Sequence, residues 1–385
     1  MPFSAGPNIA ARPNLVFEYD TGDVQNSYKG EPTTNLLTYS SNFISNWIDY
    51  CGNLSNVTYN TTDVVAPDGT YSAVKIVRNN ITSCGASTTW GLRYESGGTL
   101  VSGNTYTTSI WARCASGTVS MNFGLSDYYT TTVTLTTTWQ RFSFTWNYTP
   151  PGQPERVFQF FSTNQDITYY AWGAQTEMKD HATQYIASGA SQGVRSNTQG
   201  LLDVSGYNRT MSLANVSFTS AAQMTFDGTD DFLNVSSNFG TFGQYTIEHV
   251  SFYQTVNRMP IASIGGPLFY QYGDNSWYYT HGGVSGEYYY NGNNWNGQGP
   301  ISGWGHWTIV YDGAKVSIYR QGQLTGTQNT SGTADFTNGL RIGNYTVGSY
   351  PWNGQIAIVR FYSSALSAQE VRRNYNQLKG RFNLP

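Results

Sequence analysis

From about residue 100 onward the chain alternates. "TYTTSIWARC", "VTLTTTWQRFSFTWNY", "HWTIVYDGAKVSIYRQGQL" and "GQIAIVRFY" place β-branched and aromatic residues at every second position. A period of two sends one set of side chains to one face of a pleated strand and the other set to the opposite face. Runs of this length, cut by Gly, Asn, Asp and Pro, predict antiparallel sheets packed face to face. Within "YDGAKVSIYRQGQ" two turns are marked, Asp312-Gly313 and Gln321-Gly322, the second with Gly in a left-handed position.

Composition agrees with an all-β chain. Charged residues make up 11% of the 385, and the 30 tyrosines outnumber the 20 lysines and arginines together. Tyr suits a pleated surface because its ring packs while its hydroxyl meets water. A net charge of −3 offers no basic field for phosphates, so nucleic acid is not an expected partner. No apolar run reaches the roughly 18 residues needed to span a bilayer, and "MPFSAGPNIAARPN" lacks the basic start and apolar core of a signal peptide.

One helix stands out in "SALSAQEVRRNYNQLKG". Ser367 and Glu370 form a capping box, Gly380 supplies a C-terminal stop, and Val371, Tyr375 and Leu378 make one apolar stripe. The Gly/Ser-rich stretch 186–200 reads as a connector. Cys51, Cys84 and Cys114 are odd in number and lack metal-ligand spacing, which leaves either a Cys51–Cys84 bridge or buried thiols.

Two resemblances follow from longer segments. "LLDVSGYNRTMSLANVSF", "MTFDGTDDFLNV", "YTIEHVSFY", "LRIGNYT" and "NGQIAIVRFYSSALSAQEVRRNYNQL" stand in the order of the concanavalin A-like lectin/glucanase fold in its laminin G-like form, as found in bacteriophage structural proteins. The opening strand of that form resembles "LVFEYDTGDVQNSY" at 15–28, far upstream of its continuation near 200. Between them, "TNLLTYSSNFISNW", "APDGTYSAVKIV", "YTTSIWARCASG", "LTTTWQRFSFTW" and "YYAWGAQTEMKDHATQYIAS" resemble the carbohydrate-binding-module-like jelly rolls of phage tails and fibres. The resemblances imply one sandwich, 13–32 plus 195–385, interrupted by another, 33–190, with residues 1–12 as an extended arm. The expected fold class is therefore all-β: two antiparallel jelly-roll sandwiches, one inserted into the other, with one short C-terminal helix.

The acids are the first candidates for chemistry. The glucanase branch of this fold hydrolyses sugars with carboxylates at Glu-x-Asp-x-x-Glu spacing, and "EYDTGD" (Glu18, Asp20, Asp23) is the nearest match, ending in Asp. As a plain strand, Leu15, Phe17 and Tyr19 would face the core while Glu18 and Asp20 face water. Glu248 and Glu287 have no second acid at the required spacing. His181, His249, His281 and His306 fall in no hydrolase or metalloprotease motif, so no catalytic residue is assigned. Asp227, Asp230 and Asp231 read as a hairpin turn at Asp227-Gly228 before Phe232 re-enters the core. The alternative is part of a calcium shell, which laminin G-like relatives hold at the sandwich rim; no other cofactor is expected.

Aromatic residues supply the binding candidates. Residues 268–307 are the densest region, and Trp277, Tyr279, Tyr288, Tyr290 and Trp295 with Asp274 are nominated for stacking and hydrogen bonding to a glycan. Ordinary packing or a subunit contact is the competing reading. In the insert, Trp90, Tyr94, Tyr128 and Tyr129 form a second candidate platform, while Trp111, Trp139 and Trp172 are assigned to the core. The resemblances imply a non-enzymatic virion surface protein, a fibre or decoration component. Its expected partners are a host cell-surface glycan, further copies of itself, and another virion protein held through the N-terminal arm.

Overall fold

The computed structural model describes residues 13–49, 57–78, 89–95, 100–125, 129–149, 156–163, 167–221, 223–236, 238–253, 258–263, 266–271, 277–280, 288–290, 303–345 and 350–385. The chain divides into two compact units. One takes the residues up to Glu31 together with Ser196–Pro385, and the other takes Pro32–Arg195. Both are built from antiparallel sheets, and the described residues hold one helix, Ala368–Leu378. The chain is thus all-β with a short C-terminal helix, as the alternation and the capping box predict. No helix among the described residues is long and apolar enough to cross a membrane.

The discontinuous unit closes across its interruption. Tyr28 bridges Leu201, the Lys29 N–H donates to the Gly200 carbonyl at 2.9 Å, and the Glu18 N–H donates to Asp203 Oδ1 at 3.1 Å. Its larger sheet has eight strands and centres on Asn353–Tyr362, which pairs with Leu15–Asp20, Met224–Asp227 and Tyr245–Tyr253. A seven-stranded sheet lies opposite. Phe17, Tyr19, Tyr245, Ile309, Phe361 and Ile342 are among the buried residues that fill the space between them.

The aspartate turn departs from expectation. Strand Met224–Asp227 pairs in the eight-stranded sheet, whereas Phe232–Val235 pairs in the seven-stranded one. "DGTDD" is therefore an arch between sheets, not a hairpin. Gly228 takes φ +82, a left-handed conformation that favours glycine. Leu233 and Val235 enter the core, while Phe232 stays half-buried beneath Arg341, whose guanidinium sits 4.0 Å from the ring centroid.

The helix explains a second departure. Ser367 accepts from the Glu370 N–H while Glu370 accepts from the Ser367 N–H, closing the capping box. Val371, Tyr375 and Leu378 are buried, and the Val371 and Leu378 clusters lie with residues from the outer face of the eight-stranded sheet. Gly380 does not serve as a left-handed stop; Lys379 caps in helical geometry and the chain turns on through Arg381 and Phe382. Because that sheet is covered on both faces, Glu18 does not face water. It is 2% exposed, bonded to Arg360.

In the inserted unit two five-stranded sheets enclose their own core, which includes Phe43, Trp47, Tyr94, Phe123, Phe158, Phe160 and Tyr169. Part of the stretch read as a connector belongs to it, since Gly193–Arg195 pairs with Thr33–Asn35. Cys114 is a buried free thiol; Cys51 and Cys84 lie outside the described residues, as do residues 1–12 assigned to the arm.

Candidate functional site

The inserted unit carries an aromatic cluster outside its core. In strand Thr105–Cys114, Tyr106, Ile110 and Ala112 point inward, which turns Thr107, Ser109 and Trp111 outward. Trp111 is opposite Arg141 on one neighbouring strand and Trp172 on the other. The register shifts between Trp172 and Gln175, where Gly173 takes φ +65 and a Cβ would stand 3.4 Å from the Trp111 ring and 3.6 Å from the Tyr185 ring. Trp139 joins from the residue before strand Gln140–Asn147. The assignment of Trp111, Trp139 and Trp172 to the sandwich core is thus corrected: with Tyr185, Val64, Ala66 and Ala73 they form a separate cluster.

Hydrogen bonds fix this cluster in place. Trp139 Nε1 donates to the Val65 carbonyl at 2.8 Å, and Trp172 Nε1 donates to Ser72 Oγ at 2.9 Å. Both anchors lie on the loop that crosses the aromatic face. Tyr185 stands 4.7 Å from Trp172 between ring centroids, and its hydroxyl pairs with Ser40 Oγ at 2.7 Å. Burial pushes the Tyr185 phenol up to about 12, so it stays a neutral hydroxyl. The segment bearing Tyr185 is tied down by Gln175 and Glu177: Ile186 N–H donates to Gln175 Oε1 at 2.7 Å, and Thr183 donates from both N–H and Oγ1 to Glu177.

Trp172 is buried, and Trp111 and Trp139 are half-buried beside it, each keeping part of its ring at the surface. Arg141 flanks Trp111 and donates from Nη2 to Ser109 Oγ at 3.0 Å; burial lowers its pKa, with Glu177 opposing. Ser143 and Thr145 continue the same strand as exposed residues, the Thr145 hydroxyl paired with Thr107 Oγ1 at 2.6 Å. The result is a preformed apolar surface edged by polar groups. Such a surface takes the C–H face of a sugar ring and meets its hydroxyls at the edge.

Other nominated residues fall elsewhere. Tyr279 is 1% exposed and belongs to the sandwich core, so it offers no surface for stacking. Asp274 and Trp295 lie outside the described residues, as do the side chains of Trp277, Tyr288 and Tyr290. Tyr94 is buried in the insert core at 1% exposure; Tyr128 lies outside the described residues, as do the side chains of Trp90 and Tyr129.

The acids of "EYDTGD" serve three separate structural purposes. Glu18 Oε1 accepts from Arg360 Nε at 2.9 Å, Asp20 takes both terminal nitrogens of Arg381, and Asp23 caps a turn at Asn26. Arg360 also reaches Glu248 Oε1 at 3.2 Å, and Glu248 further binds His306 Nε2 at 2.7 Å and Asn374 Nδ2 at 2.8 Å. Burial would raise the Glu248 carboxyl, but Arg360 and His306 outweigh it and hold it at about 2. This pairing of Glu248 with Glu18 across Arg360 escapes a spacing search, because the two acids are 230 positions apart and meet only through strand order. Both are shut away from solvent and committed to Arg360, so neither is placed to attack a glycosidic bond.

Asp227, Asp230 and Asp231 bring one carboxylate oxygen each to within 4.8 Å of one another. Asp231 Oδ2 accepts the Asp227 N–H at 2.7 Å, Asp227 Oδ1 accepts the Thr229 N–H at 2.7 Å, and Asp230 Oδ2 accepts from Asn215 at 2.9 Å. Burial pushes the Asp231 carboxyl up to about 6. Three carboxylates are part of the six to eight oxygens calcium requires, and each already serves the arch.

Comparison with known proteins divides along the same lines. Residues 35–166 match the family model described as a carbohydrate binding domain, and residues 227–372 match that of the concanavalin A-like lectin/glucanases superfamily. No curated protein matches the chain. Among solved structures it is similar to the receptor-binding domain of botulinum neurotoxin type G at 18% identity, covering 47% of this chain and 49% of that one, with a TM-score of 0.39. The binding domain of botulinum neurotoxin DC is similar at 15% identity, 48% and 50% coverage and a TM-score of 0.38. Domain 4 of a GH43 extracellular arabinanase from Geobacillus stearothermophilus shows 13% identity, 47% and 93% coverage and a TM-score of 0.38. The chain spans about half the length of the two neurotoxin structures.

Proposed function

We propose that the protein is a non-enzymatic glycan-binding protein whose inserted sandwich presents the saccharide surface at Trp111, Trp139 and Arg141. The observation that carries this reading is a pair of half-buried indoles, Trp111 and Trp139, packed with buried Trp172 on the outer face of a sheet, both of the pair lying in the segment that matches a carbohydrate binding domain. The two half-buried rings together leave one apolar patch at the surface, the kind of feature that marks a binding site. The buried, Arg-paired state of Glu18 supports binding without hydrolysis. The test is a glycan array probed with the wild type, Trp139→Ala and Trp111→Ala. Binding that falls at least tenfold in both variants supports the surface, since a central aromatic contact is worth more than about 1.4 kcal/mol. Equal binding by all three removes it.

We further propose that the protein is a fibre or decoration component of a virion surface that binds a host cell-surface glycan. This rests on the sequence resemblance of both units to phage domains. It includes self-association and attachment to another virion protein through residues 1–12. Immunogold labelling of phage particles with antibody to this chain tests the placement, and unlabelled particles would overturn it.

A further inference from the structure

The discontinuous unit holds a cavity of about 330 Å³ beside its C-terminal segment, remote in sequence from every glycan candidate nominated above except those of the strand region 268–307. Its construction begins with strand Gly303–Tyr311, where Trp307 and Ile309 point into the sandwich and Trp304 points out. After the helix the chain turns back on itself. The N–H groups of Arg381 and Phe382 both donate to the Leu378 carbonyl, at 3.0 and 3.2 Å, and Asn383 adopts φ +49. This return sets Phe382 against Trp304, with ring centroids 4.9 Å apart and planes at 50°. Phe252 supports Trp304 from behind at 5.8 Å. Met224 and Ala357 complete the apolar wall.

The polar lining is sparse and specific. Gln223, Asn383 and Thr21 are the uncharged polar residues of the lining, two amides and a hydroxyl by type. Arg381 lines it too, but its charge is already met: Nη1 and Nη2 bind the two oxygens of Asp20, each at 2.5 Å. Gly22 makes room for this pair, because a Cβ there would stand 1.9 Å from Arg381 Nη2. The Arg381 guanidinium also lies 4.7 Å from the Phe382 ring centroid. An anionic ligand therefore finds a compensated cation and a carboxylate rather than a free positive charge. Gln223 Oε1 accepts from Gln355 Nε2 at 3.4 Å, and a wholly apolar ligand would still cover polar residues it cannot hydrogen-bond.

We infer that this cavity is a second saccharide site, one that takes a single neutral sugar ring with its C–H face on Trp304 and Phe382 and its hydroxyls toward Gln223 and Asn383. The volume sits at the small end of ligand cavities, which suits one ring rather than a chain. The Arg381–Asp20 pair fixes the return segment and hence the position of Phe382. The inference extends the glycan-binding reading to the other unit, but it stands on a different set of residues.

The experiment is saturation-transfer NMR on the full chain with methyl glycosides of neutral hexoses, of an N-acetylhexosamine and of a uronic acid. It is run on the wild type, Trp304→Ala, Phe382→Leu and Trp139→Ala. Phe382→Leu keeps the apolar volume and removes the aromatic face, so a folded protein with lost binding is readable by its unchanged melting temperature. The expected result is transfer to at least one neutral glycoside that falls at least tenfold in Trp304→Ala and Phe382→Leu and persists in Trp139→Ala. Neutral-glycoside transfer that ignores both pocket variants, transfer to the uronic acid alone, or no transfer at all would overturn the second site. Loss in Trp139→Ala with no change in the pocket variants would leave the insert surface standing while removing this one.

Discussion

Replacing Arg360 by Met removes the guanidinium set between Glu18 and Glu248 while keeping most of its apolar stem. Glu18 is 2% exposed and Glu248 fully buried, so neither can turn to water for the lost charge. Breaking a buried ion pair by removing one partner costs about 3–5 kcal/mol. A second route gives a similar figure. A carboxyl held at about 2 instead of 4.5 is worth about 3 kcal/mol at 1.36 kcal/mol per tenfold change in proton affinity, and Arg360 is the strongest of the partners that hold it there. For a unit of this size each kcal/mol moves the melting temperature by about 2–4 °C, so the transition of the discontinuous unit should fall by roughly 6–20 °C. Differential scanning calorimetry of the full chain reads this, with the transition of the inserted unit as the internal control. Neutralising both acids together, in Glu18→Gln/Glu248→Gln/Arg360→Met, should recover most of the loss, because a buried network replaced by neutral groups leaves no uncompensated charge. A cost below about 1 kcal/mol for Arg360→Met, or a triple variant no more stable than the single one, would refute the reasoning.

Three further outcomes follow from the same structure. The Glu248 carboxyl is depressed in the folded state, so the unfolded chain takes up its proton first; the stability it contributes is present above pH 4.5 and lost as pH falls toward about 2, a slope that acid-unfolding curves of Glu248→Gln should lack. Asp231 has the opposite sign: its folded carboxyl sits at about 6 against an ordinary 3.8, so stability falls as pH rises through that window, and Asp231→Asn should gain about 1–2 kcal/mol at neutral pH in urea titrations. A calcium role would reverse this, with millimolar calcium raising the melting temperature of the wild type and not of the variant. Gly91 takes φ +147 and a Cβ there would lie 2.1 Å from the Phe160 carbonyl, so Gly91→Ala should cost about 2–4 kcal/mol, read as a lowered transition of the inserted unit alone.

The sequence was legible where a single period governs. Strands such as Thr105–Cys114 and Gly303–Tyr311 have one face on a core, and alternation identifies them; the helix announces itself through Ser367 and Glu370. Alternation does not say what covers the other face. Strand Leu15–Asp20 is buried on both sides because the helix closes the outer one, so a Glu18 that reads as solvated is interior. The same ambiguity hid the candidate surface: Trp111 and Trp172 look like core residues in strands of the right period, yet their parity is that of Thr107 and Ser109, opposite to Tyr106 and Ile110. Parity alone would have separated them. The cavity at Trp304 had no such signal, because it depends on where the chain returns after the helix. The aspartate arch was misread as a hairpin because a Gly turn is the same in sequence whether the strands it joins share a sheet or face each other.

A glycan resting on the half-buried Trp111 and Trp139 rings of the inserted unit would lose most of its contact when either ring is removed. Isothermal titration of the wild type and Trp139→Ala with the strongest oligosaccharide found on the glycan array tests it most directly. Saturable binding by the wild type is expected, weakened at least tenfold in the variant, while both melt at the same temperature within a few degrees. Undiminished affinity in a folded Trp139→Ala protein would contradict it.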